Sequence, residues 1–282
     1  ATVGACVIDL ASDRVIYARN ADTGLTPAST MKLFAMTAAL TELGPQFAFE
    51  TILAADGGNL IVIGDGDPGF GDEKLHKGRK ETIAAPFERW VDTLRQRGLT
   101  SLPGDLIIDE TIFDDQRLHP TWERADLDNW YAAPAGGLNY NDNCLDFVVT
   151  PSNKRNAPVL VSVQPETSLA KIVNTCKSGG KGTPTLHHAF DTFEYAVSGR
   201  CGKRYELGSV SFPDPGLLFA DSMRHTLSRA GVTIRGPIRR QRVRRPDGVL
   251  PTNLTILARH RTPLADVLGR AGKDSQNMFA EC

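Results

Sequence analysis

A serine and a lysine three positions apart, Ser29 and Lys32, stand at the head of a stretch that reads as helix. On a helix such residues share one face, about one turn apart. A serine hydroxyl is a weak nucleophile and needs a base within hydrogen-bond reach. Lysine is that base only where its neutral form is populated, and burial lowers an ammonium pKa. Ser29 also falls at the helix start, where free N–H groups and the dipole favour negative charge. Spacing, burial and position therefore agree on a Ser-Lys acylation centre. An ordinary exposed helix start carries the same letters, and the spacing recurs at Ser168–Lys171 and Ser178–Lys181. Gly179-Gly180 disfavours helix behind Ser178. Ser168–Lys171 fits a helix turn better, but Val173-Asn174-Thr175 ends that run quickly; only Ser29 opens a long apolar helix. Ser275-Gln276-Asn277, the one Ser-x-Asn of the chain, opens the last helical segment. A second hydroxyl can pass a proton to a leaving amine, and an amide can hold both a lysine and a substrate carbonyl. Read alone, Ser275 after Asp274 is a helix cap.

The elements that must position these residues follow from local pattern. Thr30–Leu43 is rich in Ala, Leu and Met and is bounded by Pro27 and by Gly44-Pro45, which predicts a helix. It is apolar nearly all round, which predicts burial. Before it, Gly4–Asp9 and Arg14–Arg19 flank Leu10-Ala11-Ser12-Asp13 as a hairpin. After Thr51 come short strands: Leu60–Ile63, running into Gly64-Asp65-Gly66-Asp67-Pro68-Gly69, and Asp105–Asp109 behind an amphipathic helix over Thr82–Arg97. The same order returns in the helix Ala220–Arg229, then Gly231-Val232-Thr233 and Gly236-Pro237-Ile238. RGLTSLPGDLII and AGVTIRGPIRR read as two copies of one helix-to-strand unit, within an α/β domain interrupted by what lies between. The interruption, about Pro151 to Pro215, carries strand candidates at Val159–Val163, Phe193–Val197 and Ser209–Phe212 and reads as a small β-rich insert. From about Thr262 the pattern is helical through Leu264–Leu268 and Ser275–Glu281.

At 282 residues the chain exceeds one average domain, so two or three are expected. A net charge of −1 gives no whole-molecule field for nucleic acid or an anionic membrane. No apolar run reaches the roughly 18 residues of a membrane-spanning helix. No signal peptide is visible, but both ends read as cut inside structured regions, so this is silent about compartment. The five cysteines form no CxxC, which argues against zinc. Cys176 and Cys201 flank a Gly-rich, strand-like segment and either pair in an oxidising compartment or stand as separate buried thiols.

PASTMKL (Pro27–Leu33) and DSQNMFAE (Asp274–Glu281) together resemble the SxxK and SxN motifs of penicillin-binding proteins. The long stretch between them is similar to the class C low-molecular-weight group, the D-alanyl-D-alanine carboxypeptidase/endopeptidases. VIYARNADTGLTPASTMKLF, VIGDGDPGF, GDLIIDETIFDD and APAGGLNYNDN extend the likeness over nearly the whole chain, most weakly across 152–216. The resemblance implies an α/β (α+β) fold: a transpeptidase-like, β-lactamase-like domain split by an inserted α/β domain that carries a nested β-rich domain. The pieces would be 1–48 and 255–282 for the first domain, 49–151 and 217–254 for the second, and 152–216 for the third. It implies an exported, periplasmic or envelope-associated serine peptidase that needs no cofactor or metal, acts on peptidoglycan stem peptides and is acylated by β-lactams. Ser29 would attack the carbonyl of the penultimate D-Ala, Lys32 take its proton, Ser275 help protonate the departing amine, and Asn277 hold substrate and Lys32. Asp109 would face the cleft and bind the amino group of a diaminopimelate side chain; a strand-end Asp is otherwise a turn residue. The family's third motif, Lys-Thr/Ser-Gly after SxN, is missing. Lys177-Ser178-Gly179 has its letters but precedes SxN and reads as a Gly-rich turn, so the third motif is expected beyond Cys282.

Competing readings are weaker. Gly64–Gly69 matches GxGxxG after a strand, but two aspartates would repel a pyrophosphate, Pro68 removes an N–H, and no helix follows directly. EF-hand spacing fails after Asp67. Glu166-Thr167-Ser168-Leu169 is similar to a class A β-lactamase loop, with Ala170 in place of Asn and the order wrong. The basic run Arg235–Arg245 reads as a solvated face or a contact for anionic wall polymer, and His187-His188 as surface or satisfied histidines. A wall-binding or β-lactam-sensing module without turnover would keep Ser29 and hydrolyse nothing.

Overall fold

The structure, a computed structural model, describes residues 2–282. The first two runs close on Asp13, at φ 55°, as an antiparallel hairpin of β1 (Ala5–Asp9) and β2 (Arg14–Arg19). After Pro27 a 3-10 turn (Ala28–Met31) leads into α1 (Lys32–Leu43), which Gly44 ends at φ 80°. Glycine takes that conformation without a Cβ clash. Next come β3 (Ala48–Asp56), β4 (Asn59–Ile63), α2 (Glu73–Gly78), α3 (Ala85–Gln96), β5 (Ser101–Leu102) and β6 (Leu106–Asp109). The β-rich stretch supplies β7 (Cys144–Thr150), β8 (Leu160–Gln164), β9 (Lys171–Asn174), β10 (Lys177–Ser178), β11 (Thr185–His188), β12 (Glu194–Ser198), β13 (Arg200–Cys201) and β14 (Tyr205–Ser211). The chain returns through α4 (Pro215–Arg229), β15 (Thr233–Ile234), β16 (Ile238–Arg240), β17 (Thr255–Pro263), α5 (Leu264–Lys273) and α6 (Met278–Glu281).

One five-stranded sheet, ordered β16-β6-β4-β3-β17, organises the rest. Side chains alternate across it, as a period of two requires. Leu53, Leu60, Val62, Leu106 and Ile108 face α3 and α4, whereas Ile52, Ala54, Ile61, Ile63 and Ile107 face Val243, Leu250 and Leu254. Phe70 centres the first layer, its ring within 4.6–6.2 Å of Phe87, Trp90, Tyr140, Phe219 and His260. The two helix-to-strand copies lie side by side: β15 pairs with β5 and β16 with β6, both parallel, with Ile234 against Leu102 and Ile238 against Leu106. α4 begins five residues before the expected Ala220, because Asp214 caps it by accepting from the Leu217 N–H at 3.1 Å and Pro215 fits the first turn.

In the β-rich part, β14-β7-β8 and β11-β12-β9 form three-stranded sheets and β10 pairs with β13. Cys176 and Cys201 are both buried there and both free thiols. The parallel register sets Ser178, two positions beyond Cys176, opposite Cys201; neighbouring strands about 4.8 Å apart and two residues of rise then separate the Cα atoms by roughly 8 Å, beyond disulfide reach.

Two expectations change. β17 is a strand where no strand was expected, since its inward positions include His260 and Thr262 and its outward ones Arg259 and Arg261. The alternation is there, but written in polar letters. α1 was expected to be buried and is not: Lys32 is its one buried residue, and Leu33, Phe34, Leu40 and Leu43 are exposed. Among the described residues it has a wall on one side only, where Met36 and Ala39 meet the cluster of Leu264, Val267 and Ala271 on α5.

Candidate active site

Ser29 and Lys32 leave the same turn toward the N-terminus of α6. Ala28, at φ 44°, holds a left-handed conformation that costs a residue with a Cβ energy, and it turns the chain into the 3-10 segment that carries Ser29. Ser29 is exposed, so its hydroxyl is open to an approaching carbonyl, while Lys32 is only 9% exposed. Lys32 Nζ donates to Ser29 Oγ at 3.2 Å, to Ser275 Oγ at 3.5 Å and to Asn277 Oδ1. An ammonium has three protons, and here each has an acceptor. Burial holds Lys32 below the usual lysine range, and the Glu281 carboxylate partly opposes this. Asn277 Nδ2 donates to the Tyr131 carbonyl at 2.6 Å, which fixes the amide so that its oxygen faces the lysine.

Ser275 has φ 57°, a second left-handed residue with a Cβ. The loop around it hangs on Arg270, which is 6% exposed on α5. Arg270 donates to Asp72 at 2.8 Å, to Asp142 at 3.0 Å and to Asp274 at 2.7 Å. Its guanidinium lies 5.1 Å from the Phe279 ring centroid, and its carbonyl accepts from Asp274 N at 3.2 Å. Gln276 Nε2 donates to the same Asp142 oxygen at 2.8 Å. Asp142 lies in a left-handed turn, with Asn141, Asp142 and Asn143 at φ 51°, 54° and 53°. Asn143 bridges that turn to α6, donating to Asn139 Oδ1 and to Met278 Sδ. The segment containing these asparagines resembled the family in sequence, yet neither they nor Arg270, Asp72, Gln276, Tyr131 or Glu281 drew a role from sequence. The one signal was the unusual density of asparagine in Asn139–Asn143.

Asp109 is not brought to this cluster. It was expected to face a cleft, but it is 1% exposed and its carboxylate is enclosed by four donors: Thr111 N at 2.9 Å, Thr111 Oγ1 at 2.6 Å, and Val243 N and Arg244 N, each at 2.7 Å. Burial alone would raise its pKa, but the hydrogen bonds, led by that from the Thr111 hydroxyl, outweigh it and hold the group below the usual range. Asp109 ties the end of β6 to the 243–244 segment. The two other Ser-Lys spacings also fall away: Ser168 donates its hydroxyl and N–H to the Asp221 carboxylate and Lys171 opens β9 paired with Glu194, while Ser178 is buried and accepts from Ser152 N. Ser168–Lys171 is thus no helix turn, and Ser178 leads into the Gly179-Gly180 turn, as read. Glu166 is held on α4 by His225 and Arg229. The Gly64–Gly69 loop offers no phosphate cradle, because a Cβ on Gly64 would meet the Gly137 carbonyl at 1.9 Å and one on Gly66 the Phe113 ring at 2.6 Å. Beside the cluster lies a cavity of about 370 Å³ whose walls include Phe113, Asp114, Arg117, Trp122 and Glu281.

A split sheet-and-helix scaffold that closes an SxxK turn onto an SxN loop defines a penicillin-binding fold. The crystal structure of penicillin binding protein 4 from Haemophilus influenzae superposes with a TM-score of 0.73 at 23% identity, covering 98% of this chain and 60% of that one. A second structure of that protein, complexed with a β-lactam, gives 0.63 at 21% identity. The chain belongs to the D-Ala-D-Ala carboxypeptidase 3 (S13) family, whose model matches residues 1–282. Curated relatives include a D-alanyl-D-alanine carboxypeptidase of Actinomadura, 28% identical over 84% of this chain and 45% of that protein, and D-alanyl-D-alanine carboxypeptidase DacB of Haemophilus influenzae, 25% identical over 99% and 57%. The chain thus spans about half the length of the curated relatives it matches.

Proposed function

We propose that this chain carries the acylation centre of a serine-type D-Ala-D-Ala carboxypeptidase/endopeptidase, exported to the cell envelope, that acts on peptidoglycan stem peptides and is acylated by β-lactams. The observation that carries the reading is the convergence of one buried amine on two hydroxyls and an amide from opposite ends of the sequence: Lys32 reaches Ser29 at 3.2 Å and Ser275 at 3.5 Å, 243 residues further on. Family membership supports the substrate class. In this reading residues 49–151 and 217–254 form an inserted domain, 152–216 a nested one, and the two outer pieces the transpeptidase-like domain.

Lys32 in its neutral form takes the Ser29 proton as Oγ bonds to the carbonyl carbon of the penultimate D-Ala. Burial favours that neutral form. As the C–N bond breaks, the proton passes through the Ser275 hydroxyl to the departing D-Ala amine. Asn277 orients Lys32 through its oxygen. Water then hydrolyses the ester. A β-lactam ring amide would meet the same Ser29, and the ring C–N bond breaks in place of the peptide bond. Asp109 is outside this machinery, since its lone pairs already serve four internal donors.

Labelled penicillin incubated with the full-length protein tests the reading. Covalent label on the unaltered protein and none on Ser29→Ala is the expected result; equal label on both would refute it. Release of D-Ala or cleavage of cross-linked stem peptides then separates an enzyme from a β-lactam-binding module that does not turn over.

A further inference from the structure

We infer that Arg270 is a positioning residue that locks the Ser275–Asn277 loop against the inserted part of the chain, through Asp72 and Asp142, and so sets the reach of Ser275 and Asn277 to Lys32. The inference rests on the acyl-enzyme reading above.

The loop is a poor structure by itself. Ser275 is in the left-handed region without being glycine, a conformation that persists only where its surroundings over-determine it. Arg270 supplies that determination on both sides. Before Ser275 it holds Asp274 through its side chain at 2.7 Å and its backbone carbonyl at 3.2 Å. After Asn277 its guanidinium lies over Phe279. Between them, Gln276 is tied to the Asp142 oxygen that Arg270 also engages. Only a planar fork with several donors can serve three carboxylates and an aromatic face at once.

The far end of the clamp is rigid. Asp72 is fully buried and caps α2 by accepting from Leu75 N at 2.7 Å. Asp142 sits in the left-handed turn that Asn139 and Asn143 brace. Around Arg270 stand three carboxylates, Asp72, Asp142 and Asp274, and one further cation, Lys74, at 2.6 Å from Asp274. Burial and the adjacent Asp72 carboxylate push Asp142 well above the usual carboxylate range. A buried charge cluster persists where its members are paired and hydrogen-bonded, as the three Arg270 contacts and the Asp274–Lys74 pair provide here. The reach of Ser275 and Asn277 to Lys32 is thus set by Arg270 together with the tie from Asn277 Nδ2 to the Tyr131 carbonyl.

A misplacement of about 1 Å at a catalytic group can cost on the order of 100-fold in rate. Two variants separate positioning from folding. Arg270→Lys keeps the charge and loses the fork; Gln276→Ala removes one tie and leaves the buried ion cluster whole. Both are made in the full-length protein and read by thermal unfolding, by the rate of Ser29 labelling with penicillin, and by kcat and KM for D-Ala release. The expected result is labelling and kcat lower by about 10- to 100-fold in Arg270→Lys and by a smaller factor in Gln276→Ala, with KM nearly unchanged and Gln276→Ala folded and unfolding only a few degrees below the unaltered temperature. Folded variants that label at the full rate would overturn the clamp and leave the acyl-enzyme reading standing. An unaltered protein that takes no label would overturn that reading, and the clamp with it.

Discussion

Replacing Asp109 by alanine should destabilise the protein and leave its chemistry intact. The carboxylate is 1% exposed and accepts from Thr111 N, Thr111 Oγ1, Val243 N and Arg244 N. The Thr111 hydroxyl can rotate to another acceptor, but the three backbone N–H groups cannot. Each buried donor left unpaired costs about 1–3 kcal/mol. Water entering the space left behind restores part of this, so a net loss of about 3–5 kcal/mol is expected. For a chain of this size 1 kcal/mol moves the midpoint by roughly 2–4 °C, giving a fall on the order of 10 °C. Asp109→Asn should lose about half as much, since one oxygen remains an acceptor while the new NH₂ opposes the other donors. The pH dependence has a definite sign. The folded-state pKa is held below its unfolded value, so the stabilisation is present above the unfolded carboxylate pKa near 4 and fades as pH falls through the folded one. The gap between the unaltered protein and Asp109→Asn therefore narrows in acid. Thermal unfolding from about pH 7 downward, with penicillin labelling of the folded variants, measures both parts. An Asp109→Ala protein that melts at the unaltered temperature but loses affinity for an amine-bearing stem peptide would refute the argument and return Asp109 to the cleft.

Two other outcomes follow from buried groups. Glu281 raises the Lys32 pKa against the effect of burial, so Glu281→Gln should shift the acid limb of the labelling rate to lower pH; a pH–rate profile that stays put would remove Glu281 from the lysine's electrostatics. Asp67 is fully enclosed and pushed up to about 7 by burial, with Thr262 Oγ1 and Gly69 N as partners. Its raised pKa means stability is complete below the unfolded value and lost as pH rises through about 7. In Asp67→Asn the amide oxygen still accepts from Gly69 N, the new NH₂ donates to the Thr262 hydroxyl, and no charge is buried, so it should be the more stable protein at pH 8, with little difference at pH 4; denaturant midpoints at the two pH values decide it.

What sequence could reveal depended on how local the signal was. Ser29 and Lys32 are one turn apart, so their spacing alone aligned them. Ser275 and Asn277 could be named from three letters, but not how they are held: the Arg270 partners Asp142 and Asp72 are 128 and 198 positions away, and a single arginine among many carries no mark of its partner. The two helix-to-strand copies were legible because their apolar letters repeat, and they pair in the structure. β17 was missed because His260 and Thr262 occupy its inward positions, where an apolar alternation was sought. The burial expected of α1 came from composition, which measures how apolar a surface is; among the described residues its neighbours cover one side only. Asp109 shows the limit of carrying a role by resemblance, since the letter survives while four backbone and hydroxyl donors decide where it points.

The pairing of β3 with β17 has a topological consequence. Ala48 lies opposite Pro263, so the chain departs from the end of α1 and comes back to the start of α5 at points one strand spacing apart, about 5 Å. An excursion of over two hundred residues thus begins and finishes at nearly the same spot, and lengthening or shortening it alters the closure entropy only logarithmically. A detour anchored in that way can vary in length without moving its two stumps, provided that the parts carrying Asp72, Tyr131 and Asp142, which hold the Ser275–Asn277 loop, keep their places.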